Sequence, residues 1–372
     1  MPNLERLRVI YDTSVLGFGQ YDKAGRTGVF RLVENNVAGL AKSALCDLAF
    51  SASESPQMLV HAYDYLKRTG FLKEHKLLSY DGLARVYHFL EMNRFALSRE
   101  PLTGAPRAIR RLISEGIQKL DKVIHPLEAS SLRGALVYHS PYWALPESTR
   151  GVKGLHRFLT VHDLACIIHP EASEAGGAFL ESILKSVAPN DYVICVSHST
   201  KRDLLNFRKD LDPNRVFVIH SAAAERFQPV TDRETLVNVR RRYGITDAPY
   251  FLSVSTLEKR KNLVSLIEAF FHFSQLNPDC QLVLVGPSAS AEKAIRTKIE
   301  NLGLSKNRVR FTGFVDDNDL PALDSDCLAF VYPSFYEGFG FPPLEAMQCG
   351  AVVISSNGGS LPEVVGDAGL LV

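Results

Sequence analysis

The sequence predicts an α/β protein with two doubly wound domains, each a parallel sheet covered by helices on both faces. Short apolar runs rich in β-branched residues recur along the chain, and they are continuous rather than alternating, as in strands buried on both faces. Stretches with helical periodicity, such as residues 262–276, separate these runs. The 372 residues exceed one average core and indicate about two domains.

Twelve runs form the strand prediction. They cover residues 6–12, 44–53, 135–140, 157–163, 191–197, 215–221, 250–255, 281–286, 308–313, 327–334, 351–356 and 369–372. The polar stretch 228–236 follows the first six runs and is typical of a domain boundary. We therefore predict an N-terminal domain at residues 1–229 and a C-terminal domain at residues 230–372.

Composition excludes several classes of protein. The formal net charge is +1, so charge gives no argument for a nucleic-acid partner, and none is expected. The six cysteines form no CxxC pair, which favours reduced thiols over disulfides or a zinc site. The first residues lack the apolar core of a signal peptide, and no apolar run reaches the roughly 20 residues that span a bilayer. A cytoplasmic protein is the expectation.

Polar or glycine residues follow many of the predicted strands, among them Asp12, His162, Ser197 and Gly286. Doubly wound sheets bind ligands at the carboxyl ends of their strands, where helix N-termini also point. Two such edges facing each other would form a ligand-binding cleft between the domains.

The most informative stretch is residues 335–356, FYEGFGFPPLEAMQCGAVVISS. Glu337 lies in a loop after a predicted strand, and Glu345 lies in the first or second turn of a short helix. Pro342 and Pro343 suit the start of that helix, and Gly350 suits the position after its end.

The same loop is suited to an anion or a sugar. The amides of Gly338, Phe339 and Gly340 can point at phosphate or hydroxyl groups, with help from the helix dipole. Electrostatics at a helix start explains either glutamate alone, but explains both together poorly.

These residues resemble a known family. Residues 333–372 are similar to the signature of the retaining glycosyltransferase family 4, which has the GT-B fold and two glutamates with seven residues between them. The resemblance extends to 253–270, 281–287 and 309–334, and in the N-terminal half to 12–31, 160–164 and 193–204. The variant TLEKRKN is similar to members that transfer mannose or related sugars in polysaccharide assembly.

The resemblance implies a role for each matching residue. Glu337 and His162 are the catalytic candidates, Glu337 beside the anomeric carbon and His162 facing the donor from the other domain. Donor binding is implied for Arg260 and Lys261 at the diphosphate, for Gly338, Phe339 and Gly340 at the sugar, for Glu345 at the ribose, and for Phe314 and Val315 beside the base. Arg26, Thr27 and Gly28 are implied to shape the acceptor side.

Each assignment has a structural alternative. Arg260 and Lys261 are also suited to a solvated helix start, and His162 to a helix cap or a core hydrogen bond. Ser197, Ser199 and Thr200 are more typical of helix N-caps than of ligand contacts. Thr256 stands where many family members have an arginine, so Arg260 is expected to supply the second positive charge. The resemblance also implies C-terminal helices beyond Val372, so we expect either a fragment of a longer protein or a C-terminal domain that lacks these helices.

The function implied is a hexosyltransferase that retains configuration and moves a mannose-like or glucose-like sugar from a GDP- or UDP-linked donor to a glycan or lipid-linked acceptor. No cofactor and no essential metal are expected. Three alternatives stay open: an inactive sugar-nucleotide-binding scaffold, a glycosidase using Glu337 and Glu345, and a metal-dependent GT-A enzyme using residues 324–326.

Residues 107–125 combine an apolar stripe with five basic residues at helical spacing. This pattern fits either a surface helix that covers the core or a basic helix on an anionic membrane. The second interpretation predicts peripheral contact with the inner membrane surface.

Overall fold

A computed structural model describes residues 6–22, 28–97, 105–171, 176–305 and 307–372, without the side chains of 95–97, 105 and 106. It contains two parallel sheets with helices between their strands. The fold class that the sequence predicts is confirmed. None of the helices in the described ranges is long and apolar enough to cross a bilayer.

The first sheet has seven strands in the order β3-β2-β1-β4-β5-β6-β7. Their bounds are β1 Leu7–Asp12, β2 Cys46–Ser51, β3 Lys76–Leu77, β4 Val137–Ser140, β5 His156–Val161, β6 Tyr192–Cys195 and β7 Val216–Val218. Parallel pairing joins β1 to β2 and β4, β2 to β3, and β4 to β5. The order 3-2-1-4-5 reverses direction at β1, as in a doubly wound sheet.

The second sheet has six strands in the order β10-β9-β8-β11-β12-β13. Their bounds are β8 Tyr250–Val254, β9 Gln281–Val285, β10 Val309–Gly313, β11 Ala329–Tyr332, β12 Val353–Ser355 and β13 Leu370–Leu371. All neighbouring pairs are parallel. Every residue of β9 is buried, which explains its unbroken apolar run.

Fourteen α-helices are described. They are α1 Ser14–Tyr21, α2 Gly28–Lys42, α3 Pro56–Arg68, α4 Gly82–Leu97, α5 Ala105–Asp121, α6 Ala165–Ile168, α7 Gly177–Lys185, α8 His198–Phe207, α9 Arg233–Arg242, α10 Leu263–Leu276, α11 Glu292–Asn301, α12 Leu320–Asp326, α13 Phe341–Gln348 and α14 Leu361–Val365. Helix α10 shows why they pack: it buries Leu263, Leu266, Ile267 and Phe270 on one face.

Two compact units divide the chain. The first comprises Met1–Val161, Glu181–Ile194 and Asp210–Phe217, and the second comprises His162–Leu180, Cys195–Lys209 and Val218–Val372. The second unit thus combines the six-stranded sheet with α6, α8 and part of α7. The linear boundary at residues 229/230 stays a prediction.

Candidate functional site

The candidate site is a cluster of charges in the second unit, built from the turn after β8 and the loop after β11. A short 3-10 turn, Lys259–Lys261, precedes α10, and Asn262 joins them in the left-handed conformation with φ of 53°. Asparagine adopts this conformation more readily than most residues. The turn therefore brings Arg260 and Lys261 to the carboxyl edge of the sheet, beside the loop that carries Glu337.

Glu337 binds both basic residues. Its Oε1 lies 2.7 Å from the Lys261 Nζ and its Oε2 lies 2.8 Å from the Arg260 Nη1. The side chains of Lys261, Glu337 and Arg260 are 9%, 11% and 15% exposed. The two cations that the resemblance places at a diphosphate thus neutralise the glutamate that it places at the sugar. Glu258 adds a second carboxylate 3.5 Å from Arg260.

Tyr332, the last residue of β11, completes this cluster. Its hydroxyl lies 3.0 Å from the Lys261 Nζ and 3.1 Å from the Glu337 Oε1. Burial raises the pKa of Tyr332 to about 12, and Glu337 adds to the effect. The neutral hydroxyl therefore accepts from the ammonium and donates to the carboxylate. The sequence by itself does not single out Tyr332, because this residue occupies an apolar run that predicts only a strand.

The charges determine the protonation states of the cluster. Burial by itself raises the pKa of Glu337, but Lys261 and then Arg260 outweigh it and lower the pKa to about 2. Burial likewise opposes the charge on Lys261, and the attraction of Glu337 raises its pKa to about 12. Both groups are therefore charged near neutral pH.

Close backbone packing holds the loop around Glu337. The carbonyl of Glu337 accepts from the amide of Ser360 at 3.1 Å and from its hydroxyl at 3.0 Å. Gly359 has no Cβ, and one added there would lie 2.5 Å from that same carbonyl oxygen. Glycine at this position lets α14 approach the loop.

Two further segments of the second unit, 162–180 and 195–209, support the loop from another side. The Thr200 hydroxyl lies 3.1 Å from the Gly338 carbonyl, and the Tyr336 hydroxyl donates to Asp203 at 2.7 Å. A Cβ on Gly338 would lie 1.8 Å from the carbonyl oxygen of His162. The structure therefore brings the backbone of half-buried His162 to the loop, and Thr200 both packs in the first turn of α8 and binds the loop.

The other predicted donor residues differ in exposure. Glu345 is 5% exposed, on α13, and Phe339 is 8% exposed. Gly340 has φ of 116° and precedes α13, and Gly350 follows its C-cap with φ of 85°, as the helix prediction required. Phe314 is 74% exposed, whereas Val315 packs in the hydrophobic core, which leaves only its backbone for a ligand.

On the acceptor side the structure describes Gly28, which begins α2 and is exposed. Arg26 and Thr27 lie outside the described residues. Ser197 is the N-cap of α8 and accepts from the amide of Thr200, so its interpretation as a cap is confirmed.

Residues 324–326 do not form an accessible pair of carboxylates. Asp324 is buried in α12, where burial and then Glu345 raise its pKa well above the ordinary value. Asp326 binds the guanidinium of Arg240. A protonated acid and an ion-paired acid are poor metal ligands, which argues against the GT-A interpretation.

Comparison with known proteins identifies the domain that carries this cluster. Residues 238–372 match the model of the family described as glycosyl transferases group 1. This part of the chain is a group 1 glycosyl transferase domain. Over residues 238–372 this match confirms the resemblance to a glycosyltransferase family.

Two mannosyltransferases from Escherichia coli are similar to this domain and to part of the sequence before it. The serotype-specific mannosyltransferase WbdA is 31% identical over 277 residues, 70% of this chain and 33% of WbdA. The O-antigen chain mannosyltransferase B is 33% identical over 261 residues, 67% of this chain and 65% of the relative. The chain thus matches about a third of the length of the first and less than two thirds of the second.

The solved structure of HepE from Anabaena, in complex with UDP and glucose, is similar to this chain in fold. Its TM-score is 0.61 with 16% sequence identity, and the match covers 99% of this chain and 86% of HepE. At this identity the likeness supports the fold class alone.

Proposed function

We propose that this chain transfers a hexose, mannose-like or glucose-like, from a nucleotide diphosphate sugar to a glycan or lipid-linked acceptor in cell-surface polysaccharide synthesis, with retention of configuration. The observation that carries the proposal is the Arg260–Lys261–Glu337 cluster in the group 1 domain. The mannosyltransferase activity of the two Escherichia coli relatives supports mannose as the sugar, and the two largely buried cations of the cluster support a nucleotide diphosphate as the donor.

The chemistry follows from charge. A diphosphate leaves as an anion, so Arg260 and Lys261 are suited to stabilise the charge that develops in the transition state. They are paired with Glu337, so the phosphates must share or displace this carboxylate. Displacement would release Glu337 toward the hydroxyls of the sugar. The departing phosphate then accepts the proton of the acceptor hydroxyl as the new glycosidic bond forms on the same face.

A substitution at Glu337 tests this exchange of partners. Glu337→Gln keeps the shape of the side chain but removes the competing charge, so nucleotide diphosphate should bind about tenfold more tightly while sugar transfer is lost. Lys261→Ala should instead abolish nucleotide binding. Calorimetry with GDP and UDP measures both effects, and weaker binding by Glu337→Gln would contradict the proposal.

The donor and stereochemistry need a second experiment. A thermal-shift panel of UDP-, GDP- and dTDP-sugars should show stabilisation by one base class, and NMR of the product should show the anomeric configuration of the donor. Stabilisation without transfer or donor hydrolysis would support the inactive scaffold instead. Hydrolysis of a nitrophenyl glycoside without nucleotide would support the glycosidase. The absence of any nucleotide shift would overturn the donor assignment.

A membrane-bound acceptor is supported by helices α4 and α5 of the first unit. Helix α4 exposes Leu83, Val86, Phe89 and Met92 at three-residue steps, and Phe89 is 69% exposed. Helix α5 packs beside it and exposes Ile109 and Leu112, the latter 67% exposed. These exposed apolar side chains spread over about half of the circumference of α4, with two more on the adjacent α5, and such exposed apolar groups fit a lipid surface better than water.

Basic residues accompany this apolar face. Arg107, Arg110 and Arg111 of α5 line an open depression together with Ser114. Arginine beside exposed apolar groups is complementary to anionic headgroups. We therefore propose peripheral contact with an anionic membrane, such as the inner surface of the cytoplasmic membrane.

Vesicle flotation tests the membrane proposal. The full chain should float with vesicles containing phosphatidylglycerol and not with pure phosphatidylcholine, and high salt should reduce the effect. Phe89→Ser and Arg110→Glu should each weaken flotation several-fold. Leu276→Ser is the control, since Leu276 is 85% exposed on α10 of the second unit and belongs to neither of these helices. Equal flotation of the three variants would contradict the proposal.

A further inference from the structure

A second group of chemically reactive side chains lies beside the loop that carries Glu337. His198 begins α8, His220 follows β7, and Glu363 lies on α14. All three belong to the second compact unit. Each offers one ligand atom, and these atoms lie within 4.8 Å of one another. None of the roles that the family resemblance implies falls on these three residues.

The three residues already contact one another. The His220 Nε2 lies 2.5 Å from the Glu363 Oε1, and the rings of His198 and His220 have centroids 5.7 Å apart. In a tetrahedral zinc site with bonds near 2.1 Å, neighbouring ligand atoms are about 3.4 Å apart. The ligand atoms therefore require only side-chain adjustments of the order of an ångström, without movement of the helices.

Backbone hydrogen bonds hold the carboxylate in position. Glu363 accepts from the amide of His198 at 2.8 and 3.0 Å and from the amide of Ser199 at 3.4 Å. Such outer-shell bonds orient ligating carboxylates in metal sites. They also neutralise the partial positive charge at the start of α8, which would otherwise repel a cation.

Solvent can reach the group. The side chain of His220 is 49% exposed, that of Glu363 is 20% exposed, and His198 is exposed. An ion can therefore enter, and two imidazoles with one carboxylate leave a fourth position open for water. Two nitrogen ligands favour Zn²⁺, Ni²⁺ or Cu²⁺ over Mg²⁺ or Ca²⁺, which prefer oxygen.

We infer that His198, His220 and Glu363 form a binding site for a divalent transition-metal ion of the zinc type, separate from the Arg260–Lys261–Glu337 cluster. The ion would join α8, the segment after β7 and α14. Two of these elements touch the loop, since Thr200 of α8 binds Gly338 and the ring of His220 lies 6.2 Å from that of Phe339. Occupancy would therefore stiffen the loop around Glu337 and act as a regulator.

Zinc titration of the full chain, without a polyhistidine tag, tests this site. Calorimetry should show one Zn²⁺ bound per chain, with a raised melting temperature, and Mg²⁺ at the same concentration should have no effect. The double variant His198→Ala/His220→Ala should lose this binding step, with at least a tenfold loss of affinity. Glu363→Gln should weaken it as well.

Two controls separate this site from other ligands. His272→Ala removes an exposed histidine of α10 and should bind Zn²⁺ like the native chain. The six cysteines are free, so Zn²⁺ binding that survives in the double variant belongs to them or to other histidine and carboxylate side chains. If the double variant binds Zn²⁺ as tightly as the native chain, or if neither binds it, the inference is wrong. The readout does not depend on sugar transfer, so its failure would leave the proposed function standing.

Discussion

At the scale of single residues, the candidate site is a balance of buried charges. Lys261 and Glu337 are each about nine-tenths buried, and each would be costly to bury alone. Their ion pair, with Arg260 and Tyr332 around it, offsets the free-energy cost of burying the two charges. A change to any member therefore affects both stability and the charge offered to a ligand.

The substitution Lys261→Met should reveal this balance. It leaves Glu337 with less compensation, so the free energy of unfolding at neutral pH should fall by about 3–5 kcal/mol. Denaturant unfolding measures the change. Lys185→Met is the control, since Lys185 is 78% exposed and pairs with Glu181 on a helix surface. That pair should contribute less than about 0.5 kcal/mol.

The difference in unfolding free energy between the native chain and Lys261→Met should change with pH in a definite direction. The pKa of Glu337 is lowered from 4.5 to about 2 in the folded state. Its contribution to stability is therefore complete above the unfolded pKa and is lost as the pH falls toward 2. The difference between the native chain and Lys261→Met should be largest at neutral pH and shrink below about pH 4.5. A difference that stays constant to pH 2.5 would contradict the assigned pKa.

Tyr332→Phe should separate positioning from packing. Removal of a buried hydroxyl between two charged groups should lower the free energy of unfolding by about 1.5–3 kcal/mol. In the proposed transfer it should lower kcat and leave KM nearly unchanged. Tyr250→Phe is the matched control. Its buried hydroxyl donates to the Leu323 carbonyl at 2.7 Å in the same sheet, so it should affect stability alone. Equal kinetic effects in both variants would show that Tyr332 only packs.

At the scale of elements, the close approach of neighbouring backbone segments determines the conformation of the loop between β11 and α13. Gly338, Gly358 and Gly359 each lie where an added Cβ would come within 2.5 Å of a backbone oxygen. Glycine is required there because backbone atoms, unlike side chains, cannot rotate away. The local sequence GFGFPP predicts a turn before a helix, and the structure shows which segments press against it.

Gly338→Ala should displace the loop, since its Cβ would meet the His162 carbonyl. We expect a loss of about 1–3 kcal/mol in stability and a loss of nucleotide binding. Gly39→Ala on α2 is the control, because nothing lies within 4 Å of its added Cβ. That change should raise stability by about 0.5–1 kcal/mol. Unchanged nucleotide affinity in Gly338→Ala would show that the loop does not bind the donor.

At the scale of the whole molecule, the two sheets have hydrophobic cores made of different residues. Phe50 belongs to a cluster formed by residues 9–77 and 137–143, and Phe330 to one formed by residues 224–365. Both side chains are fully buried. Because substitutions at distant sites act independently, a substitution in one core should destabilise that core and leave the other unaffected.

Hydrogen exchange can test this separation. Phe50→Leu should cost about 1–3 kcal/mol and increase amide exchange in β1, β2 and β4, with little change in β8, β9 and β11. Phe330→Leu should have the reverse pattern. Loss of protection in both sheets after either substitution would show that the cores unfold as one unit.

The sequence by itself determined the strands, the helix pattern and the family. All twelve predicted runs overlap an observed strand, because strands buried on both faces need continuous apolar residues. It missed β3, whose two residues, Lys76 and Leu77, are too short to show periodicity. The Glu337 loop and the start and end of α13 were also predictable, since prolines and glycines act locally.

Only the tertiary structure decided which charges meet. Tyr332, Lys261 and Glu337 converge from a strand, a turn and a loop, and Thr200 binds Gly338 across 138 positions of sequence. The metal-ligand group of His198, His220 and Glu363 arises in the same way. Periodicity reports which face of an element is buried, whereas contacts between distant segments depend on how the chain folds back on itself.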